Sequence, residues 1–102
     1  MKVKIPREIK IGSYKYKIRP KEDMSEEFHV YGMCSARRGM IWVDMIEDRQ
    51  VKEVTLLHEF VHCIGDVERI EFEEGDIDRI AHCLVRILRD DFGIEFDWSQ
   101  IK

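Results

Sequence analysis

Several features that would place a chain outside the ordinary globular proteins are missing here. No apolar run approaches the length of a membrane span, and residues 1–20 alternate lysines with isolated apolar residues where a secretory leader needs a continuous apolar stretch. These absences point to a cytoplasmic protein with no membrane partner. Cysteine is scarce: Cys34, Cys63 and Cys83 are odd in number and show no C-x-x-C spacing. That speaks against a disulfide framework and against a closed, cysteine-rich zinc site. Cys63 and Cys83 are expected to pack as small hydrophobes. There are no internal repeats and no low-complexity segments.

What is present is a balance of 44% hydrophobic and 37% charged residues over 102 positions, enough for one core. A single domain over 1–102 is expected. The net charge of −4 argues against a general nucleic-acid binder. The charge is uneven, with eight Lys or Arg against one Glu in residues 2–21 and seven acids against one Arg in residues 66–78. A basic hairpin of this kind can contact an acidic partner or a phosphate backbone, but the plainer reading is the solvated outer face of a strand pair.

The chemistry concentrates in Thr55-Leu56-Leu57-His58-Glu59-Phe60-Val61-His62, an H-E-x-x-H pattern inside a helix-periodic apolar run. In a chain of this composition the pattern arises by chance roughly 0.02 times. On a helix His58 and His62 stand one turn apart and point the same way, so both imidazoles can reach one zinc ion. Glu59 lies about 100° further round, which suits a general base for metal-bound water better than a third ligand. Val54, Leu57, Val61 and Ile64 form one apolar stripe, Leu56, Phe60 and Cys63 another, and Gly65 reads as the C-cap. Two histidines on so apolar a helix need partners, and two hydrogen-bonded core histidines are the alternative to ligation.

Along the rest of the chain, residues 2–5 and 8–11 read as short strands split by Pro6, and Gly12 with Ser13 as a turn into a half-buried strand over residues 14–18. Pro20 is expected to stop that strand. Residues 21–29 form a polar loop or short helical turn closed by a surface His29. Two further strands, 30–36 and 40–44, flank a hairpin turn at Arg37, Arg38 and Gly39. The motif helix starts at about residue 50. After a polar connection over 66–73, a second helix runs from about Glu74 to Asp91 with Ile77, Ile80, Leu84, Ile87 and Leu88 as its apolar stripe. Phe92 and Gly93 end it, and Ile94, Phe96 and Trp98 alternate as a last strand or extended tail. The fold class is α+β, a small antiparallel sheet packed on two main helices.

A catalytic zinc keeps three protein ligands and one open position. Glu73, Glu74, Asp76 and Asp78, at the start of the second helix, compete for the third place. At about 100° per residue, Glu74 and Asp78 flank one border of the apolar stripe and Asp76 the other alone. Only the first border offers two acids one turn apart. Glu74 is therefore the favoured ligand, with Asp78 next in line or placed to accept the free ring N–H of a ligating histidine. His82, one turn beyond Asp78, reads as a partly exposed helix histidine, with ligation or transition-state hydrogen bonding as its other roles.

The motif run, followed by Glu74 and by Ile77-Asp78-Arg79-Ile80-Ala81, with Tyr31-Gly32 and Met40-Ile41-Trp42-Val43-Asp44 upstream, resembles small phage- and prophage-encoded HExxH metallopeptidase-like proteins. These are minimal gluzincins related to the ImmA/IrrE family, and the resemblance spans roughly residues 9–91. It implies a zincin-like fold, Zn2+ held by His58, His62 and a glutamate at a position like that of Glu74, and an acid like Asp78 supporting a histidine. It also implies an edge strand, 30–36 or 40–44, that pairs with an extended peptide. Relatives with a DNA-binding partner cleave repressors, and this chain has no recognisable helix-turn-helix of its own. Larger gluzincins add a His or Tyr that stabilises the tetrahedral intermediate; Tyr31, His82 or an arginine of the Arg37–Arg38 turn are the candidates here.

Three functions compete. The first is a zinc metallopeptidase with Glu59 as base, acting on a peptide or protein substrate such as a regulatory protein. The second is a zinc-bearing module that sequesters a regulator without cutting it, and the third a structural zinc that staples two helices.

Overall fold

The computed structural model describes residues 1–21 and 31–102. Of the loop or helical turn expected over 21–29, Lys21 belongs to β3 and the rest, His29 included, lies outside the described residues. Among the described residues six strands and two helices follow one another as β1 (Lys2–Lys4), β2 (Glu8–Ile11), β3 (Tyr14–Lys21), β4 (Gly32–Ser35), β5 (Met40–Asp44), α1 (Arg49–Glu68), α2 (Glu74–Arg86) and β6 (Glu95–Asp97). A single π turn, Ile87–Asp91, extends α2 to the expected end of the second helix. The α+β class is as read from the sequence.

Alternation decides which way each strand faces. Tyr16 and Ile18 on β3, and Ile41 and Val43 on β5, are buried with Leu56 and Cys63 of α1, while Lys15 and Lys17 are exposed. Burying one residue in two against a helix is what a one-sided sheet requires. The sheet order is β2-β3-β5-β4. β2 pairs β3 and β4 pairs β5 antiparallel, but β3 pairs β5 parallel, so the sheet is mixed rather than purely antiparallel. The turns fall where glycine permits left-handed backbone, at Gly12 (φ 60°) and Gly39 (φ 61°). A separate parallel pair, β1 with β6, closes the far side, where Ile5 and Ile101 are buried and Phe96 and Trp98 pack on the core.

Three expectations from the sequence need correction. Pro20 does not stop β3, which runs to Lys21 with Pro20 in register with Val43. Lys17 donates to Gly39 on the β5 side and Ile18 to Arg7 on the β2 side. The alternation therefore points the nitrogen of Pro20 to the β2 side, beyond the end of β2, where no ladder bond is lost. Gly65 is not the C-cap of α1: Arg69 takes the left-handed position (φ 56°) and its N–H bonds the carbonyl of Gly65. Gly65 instead admits the returning chain, since a Cβ there would lie 3.0 Å from the Ile70 carbonyl oxygen and 3.2 Å from the Phe72 ring.

The third correction concerns α2. Its buried face is Ile77, Ala81 and Val85, while Ile80, Leu84 and Ile87 remain 36%, 37% and 40% exposed. The contact face is thus turned by roughly 70° from the stripe that hydrophobicity alone picks out. Ala81 makes this possible, because a small residue at the crossing lets the helices approach. The same turn leaves Cys83 exposed, not packed as a small hydrophobe, whereas Cys63 is fully buried as expected. Its functional effect is to bring Glu74 and Asp78 round toward α1.

Among the described residues no helix is long and apolar enough to cross a membrane.

Candidate metal centre

The N-terminus of α1 is fixed by Asp48, whose carboxylate accepts from the Val51 N–H at 3.0 Å. Nine and thirteen residues into the helix, His58 and His62 come up on one face with ring centroids 4.9 Å apart. The tight 69–73 return then sets Glu74, the first residue of α2, over both rings. Its Oε1 lies 2.8 Å from His58 Nε2 and its Oε2 3.2 Å from His62 Nε2. One ligand atom from each of the three residues falls within 4.8 Å of the others, so the group could hold a metal ion. Four ligands about 2.0–2.2 Å from one zinc stand roughly 3.4 Å apart, a spacing this set can meet with small adjustments.

Asp78, one turn after Glu74, places Oδ1 3.6 Å from Nδ1 of His58 and Oδ2 3.6 Å from Nδ1 of His82. The Nε2 atom of His58 thus faces the would-be metal while Nδ1 faces a carboxylate, the arrangement that fixes the orientation and tautomer of a ligating histidine. The Nδ1 of His82 is also 2.9 Å from the backbone carbonyl oxygen of Asp78, one helical turn back. His82 borders the cleft without joining the three-residue group. Asp76 is engaged with Arg79 and stays out of the site.

Glu59 is only 6% exposed. Burial pushes its carboxyl above the ordinary glutamate range, opposed by the neighbouring His58 and His62 and by a hydrogen bond from the Cys34 thiol. That thiol is held far above its usual range by its hydrogen bond with Cys63 and by burial. Cys34 therefore stays a thiol beside Glu59. β4 lies close enough for this because Gly32, two residues earlier on the same face, has no side chain. A Cβ there would sit 2.4 Å from Thr55 Cγ2 and 3.3 Å from Glu59 Oε2.

The site opens into a cleft of about 660 Å³ whose walls include Tyr31, Gly32, Val51 and Val54 beside His58, His62, Glu74, Asp78 and His82. Of the candidates for charge stabilisation, Tyr31 and His82 border the cleft, and the Arg37–Arg38 turn does not. Of the two strands proposed to meet an extended peptide, β4 is the sheet edge and β5 is interior. The sequence reading missed Gly32 and Cys34. Their signal is weak but present: an i, i+2 pair on the inward parity of an edge strand.

No family model, curated protein or solved structure matches the chain.

Proposed function

We propose that the protein is a zinc-dependent metallopeptidase with His58, His62 and Glu74 as metal ligands and Glu59 as general base. One observation carries this reading: two histidine nitrogens and a carboxylate converge on one point at the mouth of a cleft, with a buried glutamate on the next helical position. Two imidazoles and one carboxylate with room for water suit zinc in its catalytic form better than a closed structural site. The resemblance to minimal gluzincins supports the same assignment.

Bound zinc would lower the pKa of a coordinated water toward about 7 and polarise a carbonyl. Glu59, desolvated and held by the Cys34 thiol, is placed to take a proton from water in the cleft and hand it to the leaving amine. Asp78 holds His58 from behind. The substrate is a peptide or protein segment laid along β4. Asp44 donates its N–H to the Tyr31 carbonyl at 2.8 Å, so alternation turns the main-chain groups of Gly32 and Cys34 away from β5, free for an added strand.

The test is peptide-bond hydrolysis of an unstructured protein by zinc-loaded wild type against Glu59→Gln. Cleavage by wild type and zinc-bound but inert Glu59→Gln supports the reading. Equal behaviour of the two in a functional assay replaces it with that of a zinc-bearing binding module.

A further inference from the structure

The cleft uses one face of the sheet; the opposite face carries a different set of side chains. The parity that buries Tyr16, Ile18, Ile41 and Val43 sends Lys15, Lys17 and Arg19 of β3, and Met40 and Trp42 of β5, outward together. Strand register sets them side by side: Lys17 opposite Met40, Arg19 opposite Trp42, and Trp42 opposite Met33 of β4, which is 40% exposed. On the β2 side Lys10 stands directly opposite Lys15. The β4–β5 turn, with exposed Arg37 and Arg38, joins the same end through the Lys17 N–H bond to Gly39.

The result is a surface of one indole and two thioethers, Trp42 and Met40 half-buried and Met33 exposed, bordered by six cations, Lys10, Lys15, Lys17, Arg19, Arg37 and Arg38. Two acids share the outward parity of these strands: Glu8, opposite Lys17 in register and 3.9 Å from Lys15, and the buried Asp44, opposite Lys21. Among the described residues Lys10, Lys17, Arg37 and Arg38 form no ion pair. Like charges directly opposite in a sheet also oppose folding, so the Lys10–Lys15 pair gains nothing for the fold itself.

We propose that this outer sheet face binds single-stranded nucleic acid, with phosphates on the lysine and arginine border and a base stacked on Trp42 between Met33 and Met40. Residues alternate along β3 at about 6.7 Å for every second position, so Lys15, Lys17 and Arg19 form a row of cations that can follow a backbone, Lys15 and Lys17 exposed and Arg19 tied through Nη1 to the Arg7 and Ile18 carbonyls. An aromatic and thioether surface accepts the face of a base, whereas the apolar side of an amphipathic helix needs a groove. Seven of the 21 acids lie in residues 66–78, on the helices and their connection and not on this face.

The test is fluorescence anisotropy of a labelled oligo-deoxythymidine strand, with a duplex and poly-glutamate as competitors. Binding is expected to weaken roughly 50-fold between 50 and 200 mM salt if four phosphates are neutralised. Lys15→Glu with Lys17→Glu, both exposed and outside the metal centre, should weaken it at least about tenfold while leaving the melting temperature in place. In Trp98→Phe protein the remaining Trp42 fluorescence should quench on binding, and in Trp42→Phe protein Trp98 should not. No binding at low salt, indifference to the double charge reversal, or an unquenched Trp42 would each overturn the proposal. Displacement by poly-glutamate but not by a second single strand would assign the face to an acidic protein instead.

Discussion

Nε2 of His62 and Oε2 of Glu74 stand 3.2 Å apart, although one belongs to the middle of α1 and the other opens α2. With His58 Nε2 at 2.8 Å from the other oxygen, the carboxylate bridges the two imidazoles. Purified protein is therefore expected to carry one zinc by elemental analysis, and Glu74→Ala to lose it. Asp78→Ala should retain zinc with an affinity lower by about 10–100-fold, the usual cost of removing the group behind a ligating histidine. If Asp78→Ala loses the metal outright and Glu74→Ala keeps it, their roles are exchanged.

The raised pKa of Glu59 has a consequence for stability in the metal-free protein. A carboxyl whose folded-state pKa lies above its unfolded value binds its proton more tightly when folded, so it favours folding most at pH below the unfolded value. That contribution is lost as the pH rises through the folded value. Glu59→Gln removes the ionisation at nearly constant shape. Metal-free Glu59→Gln should accordingly melt above wild type at neutral pH, and the difference should vanish toward pH about 4. Thermal melts in chelator across that range decide it; a variant less stable than wild type at neutral pH would mean that the charged carboxylate is well satisfied where it lies.

Gly32 is the clearest case of a residue chosen for what it lacks. Its hypothetical Cβ meets Thr55 Cγ2 at 2.4 Å, so β4 must withdraw from α1 if any side chain is added. Gly32→Ala should cost about 1–3 kcal/mol by overpacking, and Thr55→Ser, which removes that methyl, should recover much of it. Urea titration of the two single variants and the double variant measures the coupling. Additive losses would place the strain elsewhere.

The parts of the fold legible in the sequence were those that depend on neighbours in the chain. Lys15, Tyr16, Lys17 and Ile18 alternate, Gly12 and Gly39 mark turns, and His58 with His62 repeat at one helical turn; each is a local pattern with a local cause. The preference for Glu74 over Asp76 likewise came from angular spacing on one helix. What failed was set by contacts between elements. The burying face of α2 is decided by where small Ala81 meets α1, and not by where isoleucine and leucine are densest. Gly65 serves a crossing chain segment, Pro20 survives because β2 ends early, and Cys34 reaches Glu59 only after β4 has docked at the sheet edge. None of these has a period to read.

Glu53 offers a last prediction, because it is fully buried and yet charged partners reach it from two distant places. Arg49, four residues earlier on α1, donates from Nε at 3.0 Å to one oxygen, and Arg89 in the π turn stands 3.3 Å from the other. Each arginine alone leaves the carboxylate with a counter-charge, so Arg49→Ala or Arg89→Ala should cost about 1 kcal/mol or less, in the range of a partly exposed pair. Removing both strands a buried anion, and the loss should rise to about 3–5 kcal/mol, well beyond the sum of the two. Adding Glu53→Met to the double variant removes the stranded charge and should return most of that stability. Urea unfolding of the four proteins reads this coupling directly. Additive single losses, or no recovery with Glu53→Met, would show that the arginines act through packing of their stems and not through the carboxylate they enclose.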